Sequence, residues 1–171
     1  MSCTASAADE AAVADALRRV MRGVAATVVV VTTEVDGVDY GMTATSFTSL
    51  CLEPPSVLVA VNRQALLHDR LLSRGLFAVN VLPEGFEALA RCFGDAATSN
   101  DDRFRLGSWR RHPAGPPLLE QAQAWLLCAV GERLVVGTHT LVVGRVLEAD
   151  LVERIAPLVH VDGRYIHLPT R

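Results

Sequence analysis

The feature that most constrains this chain is the segment GMTATSFTSL, residues 41–50, which consists of small, hydroxylated and β-prone residues. Thr and Phe favour a pleated backbone, whereas Gly41, Ala44 and Ser46 leave little side chain to cover that backbone. A flat ligand can lie against such a strand, with main-chain N–H groups and hydroxyls as hydrogen-bond donors. The same residues also suit an ordinary strand in a barrel wall, and composition alone favours that plainer interpretation.

Short β-prone runs on both sides of this segment predict antiparallel strands. Residues 27–33 are largely β-branched, and Val35-Asp36-Gly37-Val38 is typical of a two-residue hairpin turn. The turn predicts that residues 41–50 form the return strand, which Pro54-Pro55 ends. Further strands are predicted at residues 56–62, 77–82, 122–133, 138–148 and 163–168.

The N-terminal segment has helical periodicity. Val13, Leu17, Val20 and Met21 recur at helical spacing within residues 9–22. We expect this helix to pack its apolar stripe on the rest of the fold.

Two shorter helices are predicted in the middle of the chain. One surrounds His68 and ends at Gly75, and the other begins at Pro83 and carries Phe93 on its apolar face. Residues 94–106 are polar and acidic, which predicts a surface loop.

These elements predict one domain over residues 1–171, with an N-terminal helix and arm over residues 1–22. The spacing is that of antiparallel strands with short helical inserts, not of alternating strands and helices. The predicted fold class is therefore mainly β (α+β), as a closed or nearly closed barrel.

Composition excludes several kinds of function. The net charge of -3 provides no basic field for nucleic acid or anionic lipid. The absence of lysine excludes a Schiff-base lysine and the phosphate-binding lysine of a Walker loop. No apolar run approaches the ~20 residues of a membrane span. We therefore expect neither a nucleic acid nor a membrane as a partner.

The N-terminus lacks the long apolar region of a secretory signal, and the four cysteines are scattered. Both features predict a cytoplasmic protein. The sequence contains no GxGxxG, GxxxxGK or GxSxG motif, and its histidines never form HxxxH or HxH. No metal site is expected. Residue chemistry alone thus indicates only a small β-barrel with one hydroxyl-rich strand.

Six sequence blocks, taken in their order along the chain, indicate more than the residue chemistry does. They are GMTATSFTSL-x₃-PPSVLVAVNR, FAVNVL, ALARCF followed by DRF, W-x₆-PPLL, VGTHTLVVGRV and PLVHVDGRYIHL. Together they resemble the flavin reductase-like family, the short-chain NAD(P)H:flavin oxidoreductases with an FMN-binding split barrel. The family is typified by reductase partners of two-component flavin monooxygenases, such as that of 4-hydroxyphenylacetate 3-monooxygenase. The resemblance covers residues 20–168.

The resemblance implies that Thr43, Ala44, Thr45 and Ser46 lie along the isoalloxazine ring of a flavin. Backbone N–H groups and hydroxyls would bond the O2, N3, O4 and N5 edge, and the small Ala44 would let the ring approach the strand. The plainer alternative is that these residues pack the barrel wall.

A second set of residues is implied for the ribityl chain and phosphate: Val61, Asn62, Arg63, His68 and Arg91. The three cationic or titratable side chains among them are the implied phosphate partners, because guanidinium suits phosphate. Many relatives carry Ser or Thr between that Asn and the following helix, whereas this chain has Gln64-Ala65-Leu66-Leu67. The loss of hydroxyl donors suits a protein that binds flavin loosely and releases it.

Gly137-Thr138-His139 resembles the GDH/GTH signature of the family, whose His faces the nicotinamide side of the flavin. His139 is therefore the implied catalytic residue, by positioning the dinucleotide. Tyr165 is implied near the dinucleotide or the dimer contact, and Phe93 at the border of the ring. For all three, a purely structural role is the alternative.

The implied function is an NAD(P)H-dependent flavin reductase, a homodimer that passes hydride from nicotinamide C4 to flavin N5. It would supply reduced FMN or FAD to a partner monooxygenase. Two alternatives remain open: a flavin- or haem-binding module without turnover, and a fixed-flavin reductase of ferric iron or a corrinoid. The sequence does not decide whether the flavin is FMN or FAD, or whether the hydride donor is NADH or NADPH.

Overall fold

The structure, a computed structural model, describes residues 7–168, so residues 1–6 and 169–171 of the predicted domain lie outside it. Within this range the helices are α1 (Ala7–Arg22), α2 (Leu66–Arg74), α3 (Glu87–Gly94) and α4 (Asn100–Phe104). The strands are β1 (Ala26–Thr27), β2 (Val29–Val35), β3 (Val38–Ala44), β4 (Phe47–Leu52), β5 (Pro55–Asn62), β6 (Leu76–Val81), β7 (Trp109–Arg111), β8 (Pro117–Leu119), β9 (Ala124–Val136), β10 (His139–Leu151), β11 (Val159–Val161) and β12 (Arg164–Ile166).

The main sheet has seven antiparallel strands in the order β3-β2-β6-β9-β10-β5-β4. Its two edge strands, β3 and β4, are consecutive in the chain and are separated by only Thr45 and Ser46. Two residues cannot span a flat seven-stranded sheet, because neighbouring strands lie about 4.8 Å apart. The sheet is therefore rolled so that its edges meet, and the seam between β3 and β4 leaves the barrel split.

The hydroxyl-rich segment 41–50 is not one strand, as the sequence predicted, but the corner between two strands. The predicted hairpin turn is present, with Asp36 and Gly37 at φ values of 51° and 80°, and β2 pairs with β3 up to Val29 opposite Ala44. The chain then crosses the seam. Ser46 anchors this corner, since its Oγ donates to Ala60 O at 2.8 Å and its carbonyl accepts from Ala60 N at 3.1 Å.

Two apolar clusters lie on opposite faces of the sheet, and β2 contributes to both. Val29 and Val31 belong to the cluster inside the barrel, whereas Val28 and Val30 belong to the outer one. All four side chains are 0% exposed. Because successive strand residues point to opposite faces, the continuous valine run reflects burial on both sides.

Helix α2 closes one end of the barrel. Leu67 and Leu71, each 1% exposed, insert into the inner cluster. The helix ends as predicted at Gly75, whose left-handed φ of 73° lets its N–H reach Leu71 O at 3.0 Å.

Helix α3 covers the outer cluster through Leu89, Ala90 and Phe93. It begins at Glu87, so the prediction of a start at Pro83 is wrong. Pro83 instead forms an isolated bridge with Pro157, which keeps this segment extended.

Helix α1 is present, but its predicted packing is wrong. Val13, Leu17, Val20 and Met21 are 54–68% exposed. The helix is held to the body through its last residue, Arg22, whose carbonyl and guanidinium both bond Asp162. The hydrogen bonds to Arg22 hold the pKa of the Asp162 carboxyl below its ordinary value. None of the helices within residues 7–168 combines the length and apolarity needed to cross a bilayer.

Residues 94–106 are more structured than the predicted surface loop. They contain α4, which Ser99 caps by accepting from Asp102 N at 3.2 Å. They also bury Arg103, which is 8% exposed. The burial of Arg103 could not be predicted from the composition of the segment, which is mostly polar.

Candidate functional site

An open cleft of ≈ 610 Å³ lies between β3, the turn that joins β5 to α2, and the segment that joins α3 to α4. Its volume is in the range of small-molecule sites, about 300–1,000 Å³. The lining residues are Met42, Thr43, Asn62, residues 64–67, Phe93, Gly94, residues 96–100 and Arg103.

Phe93 supports the wall of the cleft from behind, because its side chain is 1% exposed and belongs to the outer cluster. Its ring packs edge-on against Phe104 with centroids 5.1 Å apart, and lies 5.4 Å from the ring of Trp109. A Cβ added at Gly41 would lie 2.6 Å from Phe93 Cε1. Glycine at position 41 therefore lets the Phe93 ring lie directly on the backbone of β3. The implied place of Phe93 at the border of a ligand stays a prediction, since the side chain is almost fully buried.

Thr43 links the cleft wall to α3. Its Oγ1 donates to Ala90 O at 2.7 Å, so the hydroxyl is used within the protein. The side chain therefore fixes the spacing between β3 and α3, which sets the width of the cleft.

Arg103 is the buried cation of the cleft. Its Nη1 donates to Gly41 O at 3.0 Å and its Nη2 to Asp95 O at 2.7 Å, which ties β3 to the segment after α3. Its Nε is buried without a hydrogen-bond partner, as is Asn100 Oδ1. A donor and an acceptor are thus left unfilled on two side chains that line the cleft. Neither atom is open to a ligand, because each is buried, so the two side chains give the cleft charge and polarity rather than these two hydrogen bonds.

The outer wall of the cleft is a short turn built on Asp95. The carboxylate accepts from Ala97 N at 2.9 Å and from Thr98 Oγ1 at 3.0 Å. These hydrogen bonds hold the pKa of Asp95 below its ordinary value. The turn shapes residues 96–98 along the opening.

The start of α2 forms the end of the cleft. Asn62 Oδ1 accepts from Gln64 N at 2.9 Å and so fixes the turn after β5. Ala65 stands at the N-cap and provides no side-chain cap. First-turn amides and the helix dipole make such an end favourable for an anionic group.

A second cavity of ≈ 430 Å³ lies beside the first and shares Gln64 with it. Its lining residues are Arg63, Gln64, His68, Asp69, Gly137 and Thr138. His68 is 8% exposed, and both of its ring nitrogens are engaged: Nε2 lies 2.8 Å from Thr140 Oγ1 and Nδ1 lies 2.7 Å from Asp69 Oδ1.

Only one of the four implied ring-binding residues lines the cleft. Thr43 lines the cleft, but the Ala44 side chain is 5% exposed and packs in the inner cluster. Only the main chain of Ala44 is therefore available to a ligand. Thr45 and Ser46 form the exposed corner at the seam and line neither cavity.

Among the residues implied for the ribityl chain and phosphate, Asn62 lines the cleft and Arg63 lines the second cavity. The Val61 side chain is 0% exposed and belongs to the inner cluster, so only its main chain is available to a ligand.

Arg91 and Tyr165 contact each other outside both cavities, with the guanidinium carbon 4.8 Å from the ring centroid. His139 is exposed at the start of β10, opposite Asn62 in the sheet, and its Nδ1 lies 2.9 Å from Thr138 Oγ1. It stands at the rim between the cavities without lining either.

Sequence reasoning missed Met42, Arg103 and residues 96–100 as lining residues. The signal for Arg103 was present, because DRF is one of the ordered blocks. Within residues 7–168, no group of three or more His, Cys, Asp and Glu side chains is arranged to hold a metal ion.

The family described as "Flavin reductase like domain" matches residues 21–169. The chain belongs to the flavin reductase-like family. This confirms the resemblance found in the ordered blocks, and the first and third of those blocks contribute residues to the cleft.

Curated relatives of this flavin reductase-like chain include reductase components. It is 41% identical over 150 residues to the reductase component of FADH₂-dependent resorcinol hydroxylase from Rhizobium sp. (strain MTP-10005), which covers 86% of this chain and 83% of the relative. It is 36% identical over 155 residues to the FMN reductase (NADH) RutF of Pseudomonas syringae pv. syringae (strain B728a), with 91% and 86% covered.

Among solved structures, BorF, the flavin reductase component of a bacterial two-component tryptophan halogenase, superimposes with a TM-score of 0.85 at 36% identity. The match covers 92% of this chain and 99% of BorF. The predicted mainly β split barrel is confirmed. So are the predicted enzyme class, an NAD(P)H:flavin oxidoreductase, and its flavin and nicotinamide cofactors.

Proposed function

We propose that this chain reduces flavin with NAD(P)H in the cleft between Thr43 and residues 96–100, and that it releases the reduced flavin. The observation that carries the assignment to this cleft is its lining, in which the Arg103 guanidinium, the Asn62 and Asn100 amides and the uncapped start of α2 lie around one cavity of ≈ 610 Å³. A few polar groups that converge on a cavity of this size are typical of a cofactor site.

The bound cofactors supply the chemistry, direct transfer of hydride from nicotinamide C4 to flavin N5, so the chain contributes no nucleophile. Phe93 supports the cleft wall from behind, and the Thr43–Ala90 hydrogen bond sets the cleft width. The buried Arg103 guanidinium favours negative charge in the cleft, where the low local dielectric strengthens its field. The uncapped start of α2 is placed to accept a phosphate.

His139 is proposed to position the nicotinamide from the rim. Its place opposite Asn62 in the sheet puts it beside a cleft-lining residue. An exposed side chain at this point can contact a second ligand that enters over the first. His139→Ala is expected to raise the KM for NADH and leave the Kd for flavin unchanged. An unchanged KM would remove His139 from the site.

The reductase function is tested with purified protein, NADH or NADPH, and FMN or FAD, by following the loss of nicotinamide absorbance. Oxidation with at least one pairing is expected, and gel filtration should separate most of the flavin from the protein. Absence of oxidation with every pairing would refute the proposal. A chromophore that stays bound without turnover would indicate the binding-module alternative, and one that stays bound with ferric iron or corrinoid reduction would indicate the fixed-flavin alternative.

We further propose a flavin-dependent monooxygenase as partner, because relatives of this length are named as reductase components. Diffusion of reduced flavin requires no lasting contact between the two proteins. The test is a two-component oxygenase without its own reductase. Hydroxylated product should form on addition of this chain and NADH, and added catalase should not abolish it. No product, despite flavin reduction in the same vessel, would contradict the partnership.

A homodimer is proposed from the exposed apolar surface. An isolated helix of the length of α1 is marginal in water, yet Val13, Leu17 and Val20 remain uncovered. Leu134, Val135 and Val136 on β9 are also 55–61% exposed. Two apolar surfaces on one chain suit a two-fold dimer, in which each copy covers the other.

The dimer is tested by light scattering on Leu17→Glu, which places a charge on the apolar stripe of α1. Ala11→Glu is the matched control, because Ala11 lies about 120° around the same helix from Leu17, off the apolar stripe, at 100° per residue. The wild type and Ala11→Glu should be dimers, and Leu17→Glu should be a monomer. Equal masses for all three would reject this interface.

We also propose a cytoplasmic location. Cys51, Cys92 and Cys128 are free thiols, as expected in a reducing compartment. Burial raises the pKa of Cys128 to about 12, so this thiol stays protonated and inert. Cell fractionation should place the protein in the cytosolic fraction, and recovery with membranes or medium would contradict this.

A further inference from the structure

Residues 95–104, which follow α3 and include α4, form one wall of the cleft. We propose that this segment, the flap, moves as a unit between the closed position of this structure and an open one. Its opening then sets the rates at which flavin enters and leaves the cleft. The inference rests on the proposed reductase function and adds a conformational step to it.

Open space borders the flap along most of its length. The cleft of ≈ 610 Å³ is lined by residues 96–100 and Arg103. A separate cavity of ≈ 460 Å³ is lined by Asn100, Asp101 and Phe104 of the flap and by residues 37–39 of the hairpin between β2 and β3. Packed protein interiors resist displacement because they contain few voids. A segment between two cavities can shift without displacing a packed core.

Internal hydrogen bonds make the flap a rigid unit. The Asp95 carboxylate accepts from Thr98 Oγ1 at 3.0 Å, and the Asp95 carbonyl accepts from Arg103 Nη2 at 2.7 Å. Ser99 caps α4 by accepting from Asp102 N. The two ends of the flap are thereby joined to each other, so the segment can shift without losing its own structure.

The attachment of the flap to the sheet is slight. Within residues 7–168, two hydrogen bonds join it to β3: Asn100 Nδ2 donates to Asp39 O, and Arg103 Nη1 donates to Gly41 O at 3.0 Å. The ring of Phe104 packs on the outer cluster and holds the end of the flap. The flap can therefore open when these two hydrogen bonds are exchanged for water, with Phe104 as the fixed end.

Unsatisfied polar atoms mark the same junction. Among the side chains of residues 7–168 that are not exposed, three buried nitrogen or oxygen atoms make no hydrogen bond: Arg103 Nε, Asn100 Oδ1 and Asp39 Oδ1. The last lies 3.0 Å from Arg111 Nη2, without the geometry of a hydrogen bond. Burial of a polar atom without a partner destabilises the state that buries it. Because water reaches these atoms when the flap opens, the open position recovers part of what the two broken hydrogen bonds lose.

A flap of this kind acts on rates more than on affinity. Since it must open both for entry and for release of flavin, weaker attachment to β3 speeds both steps by a similar factor. The Kd, which is the ratio of the two rate constants, then changes little. Loss of a side chain that only contacts flavin has a different effect, because it speeds dissociation alone.

The direct test is stopped-flow measurement of FMN association and dissociation with Asn100→Ala, followed by flavin fluorescence. The variant removes the hydrogen bond to Asp39 O and keeps the one from Arg103 to Gly41 O. Both rate constants should rise about fivefold, as expected for the loss of one hydrogen bond, with a nearly unchanged Kd.

Asp101→Ala is the matched control for the kinetics. It changes the next, exposed residue of α4 and leaves both hydrogen bonds to β3 in place, so wild-type rates are expected. A rise in the dissociation rate of Asn100→Ala alone, or unchanged rates, would overturn the proposal.

Limited digestion with trypsin gives a readout that does not depend on activity. Trypsin cleaves after arginine, and Arg103 is 8% exposed in the closed flap. Cleavage after Arg103 should be faster in Asn100→Ala than in the wild type, and FMN should slow it in both. Cleavage after Arg145, an exposed residue within β10, should be equal in the two proteins.

Two results of the digestion would contradict the flap. One is equal cleavage after Arg103 in both proteins, and the other is a parallel rise after Arg145, which indicates global unfolding. If the flap fails these tests while the wild type oxidises NADH with FMN, the proposed reductase function still stands.

Discussion

The two cavities on either side of Gln64 are built in different ways. In the cleft, the polar side chains mostly bond the protein itself: Thr43 bonds Ala90 O, and Arg103 bonds Gly41 O and Asp95 O. In the second cavity, the Arg63 guanidinium has no such partner within residues 7–168, whereas His68 is fixed by Thr140 and Asp69. One cavity is preformed by internal hydrogen bonds, and the other presents a free charge.

The cleft would therefore recognise a ligand mainly by shape, and the second cavity mainly by charge. A preformed cleft loses little entropy when a rigid ring enters it, so substitutions there affect both stability and binding. A free surface charge contributes little to folding, so its removal affects binding alone. The expected variants below test this separation, in order of decreasing effect.

The largest effect is expected for Arg103→Ala. The change removes two hydrogen bonds from a buried cation and leaves Gly41 O and Asp95 O without their donor, at a cost of about 3 kcal/mol in unfolding free energy. Flavin affinity should fall together with stability. Denaturant unfolding and flavin titration measure the two effects. Arg105→Ala, which removes an arginine side chain that is 77% exposed, is the control and should change neither.

Gly41→Ala should have the next largest effect. The added Cβ would lie 2.6 Å from Phe93 Cε1, so the ring must shift toward the cleft or push α3 away. Overpacking of this kind costs about 1–3 kcal/mol. We expect a lower melting temperature and a higher flavin KM. Wild-type values for both would mean that Phe93 does not fix the cleft wall.

Thr140→Val tests the fixed part of the second cavity. Thr140 is 1% exposed and its hydroxyl lies 2.8 Å from His68 Nε2, so the near-isosteric change leaves one imidazole nitrogen unpaired. The expected loss of unfolding free energy is about 1 kcal/mol. Flavin binding in the cleft should not change. Weaker FMN binding in this variant would show that the two cavities do not act separately.

The smallest effect is expected from the Asp95 turn. Its hydrogen bonds lower the pKa of the carboxyl below the ordinary 3.8. A lowered pKa means that the stabilisation is complete above 3.8 and is lost as pH falls through the folded-state value. Asp95→Ala should therefore lower the melting temperature at neutral pH, and the difference from wild type should shrink below pH 3.8. A difference that does not depend on pH would show that the charge is not involved.

The sequence predicted the barrel well because its signals are local. The Asp36-Gly37 turn, the valine run of β2 and the end of α2 at Gly75 each follow from neighbouring residues. The corner at Thr45 and Ser46 was missed because a change of sheet edge leaves no mark in strand propensity.

The site was predicted less well, since its lining comes from distant segments. Residues 96–100 and Arg103 lie far along the chain from Thr43, and their burial depends on tertiary contacts. Ala44 and Val61 were placed on the ligand, although strand alternation turns their side chains into the core. The exposure of the apolar stripe of α1 could not be predicted from the sequence. The same periodicity occurs whether such a stripe packs on its own chain or on another.

The most direct test of the central claim, that flavin occupies the Thr43–Phe93 cleft, is the Kd for FMN of a cleft-filling variant. Gly94 lines the cleft, and a Cβ there would make an ordinary contact of 3.7 Å with Thr43 Cβ. Gly94→Ala should therefore bind FMN like the wild type, and Gly94→Leu, which fills the cleft, should bind about tenfold or more weakly at an unchanged melting temperature. Equal Kd values for the two variants would place the flavin elsewhere.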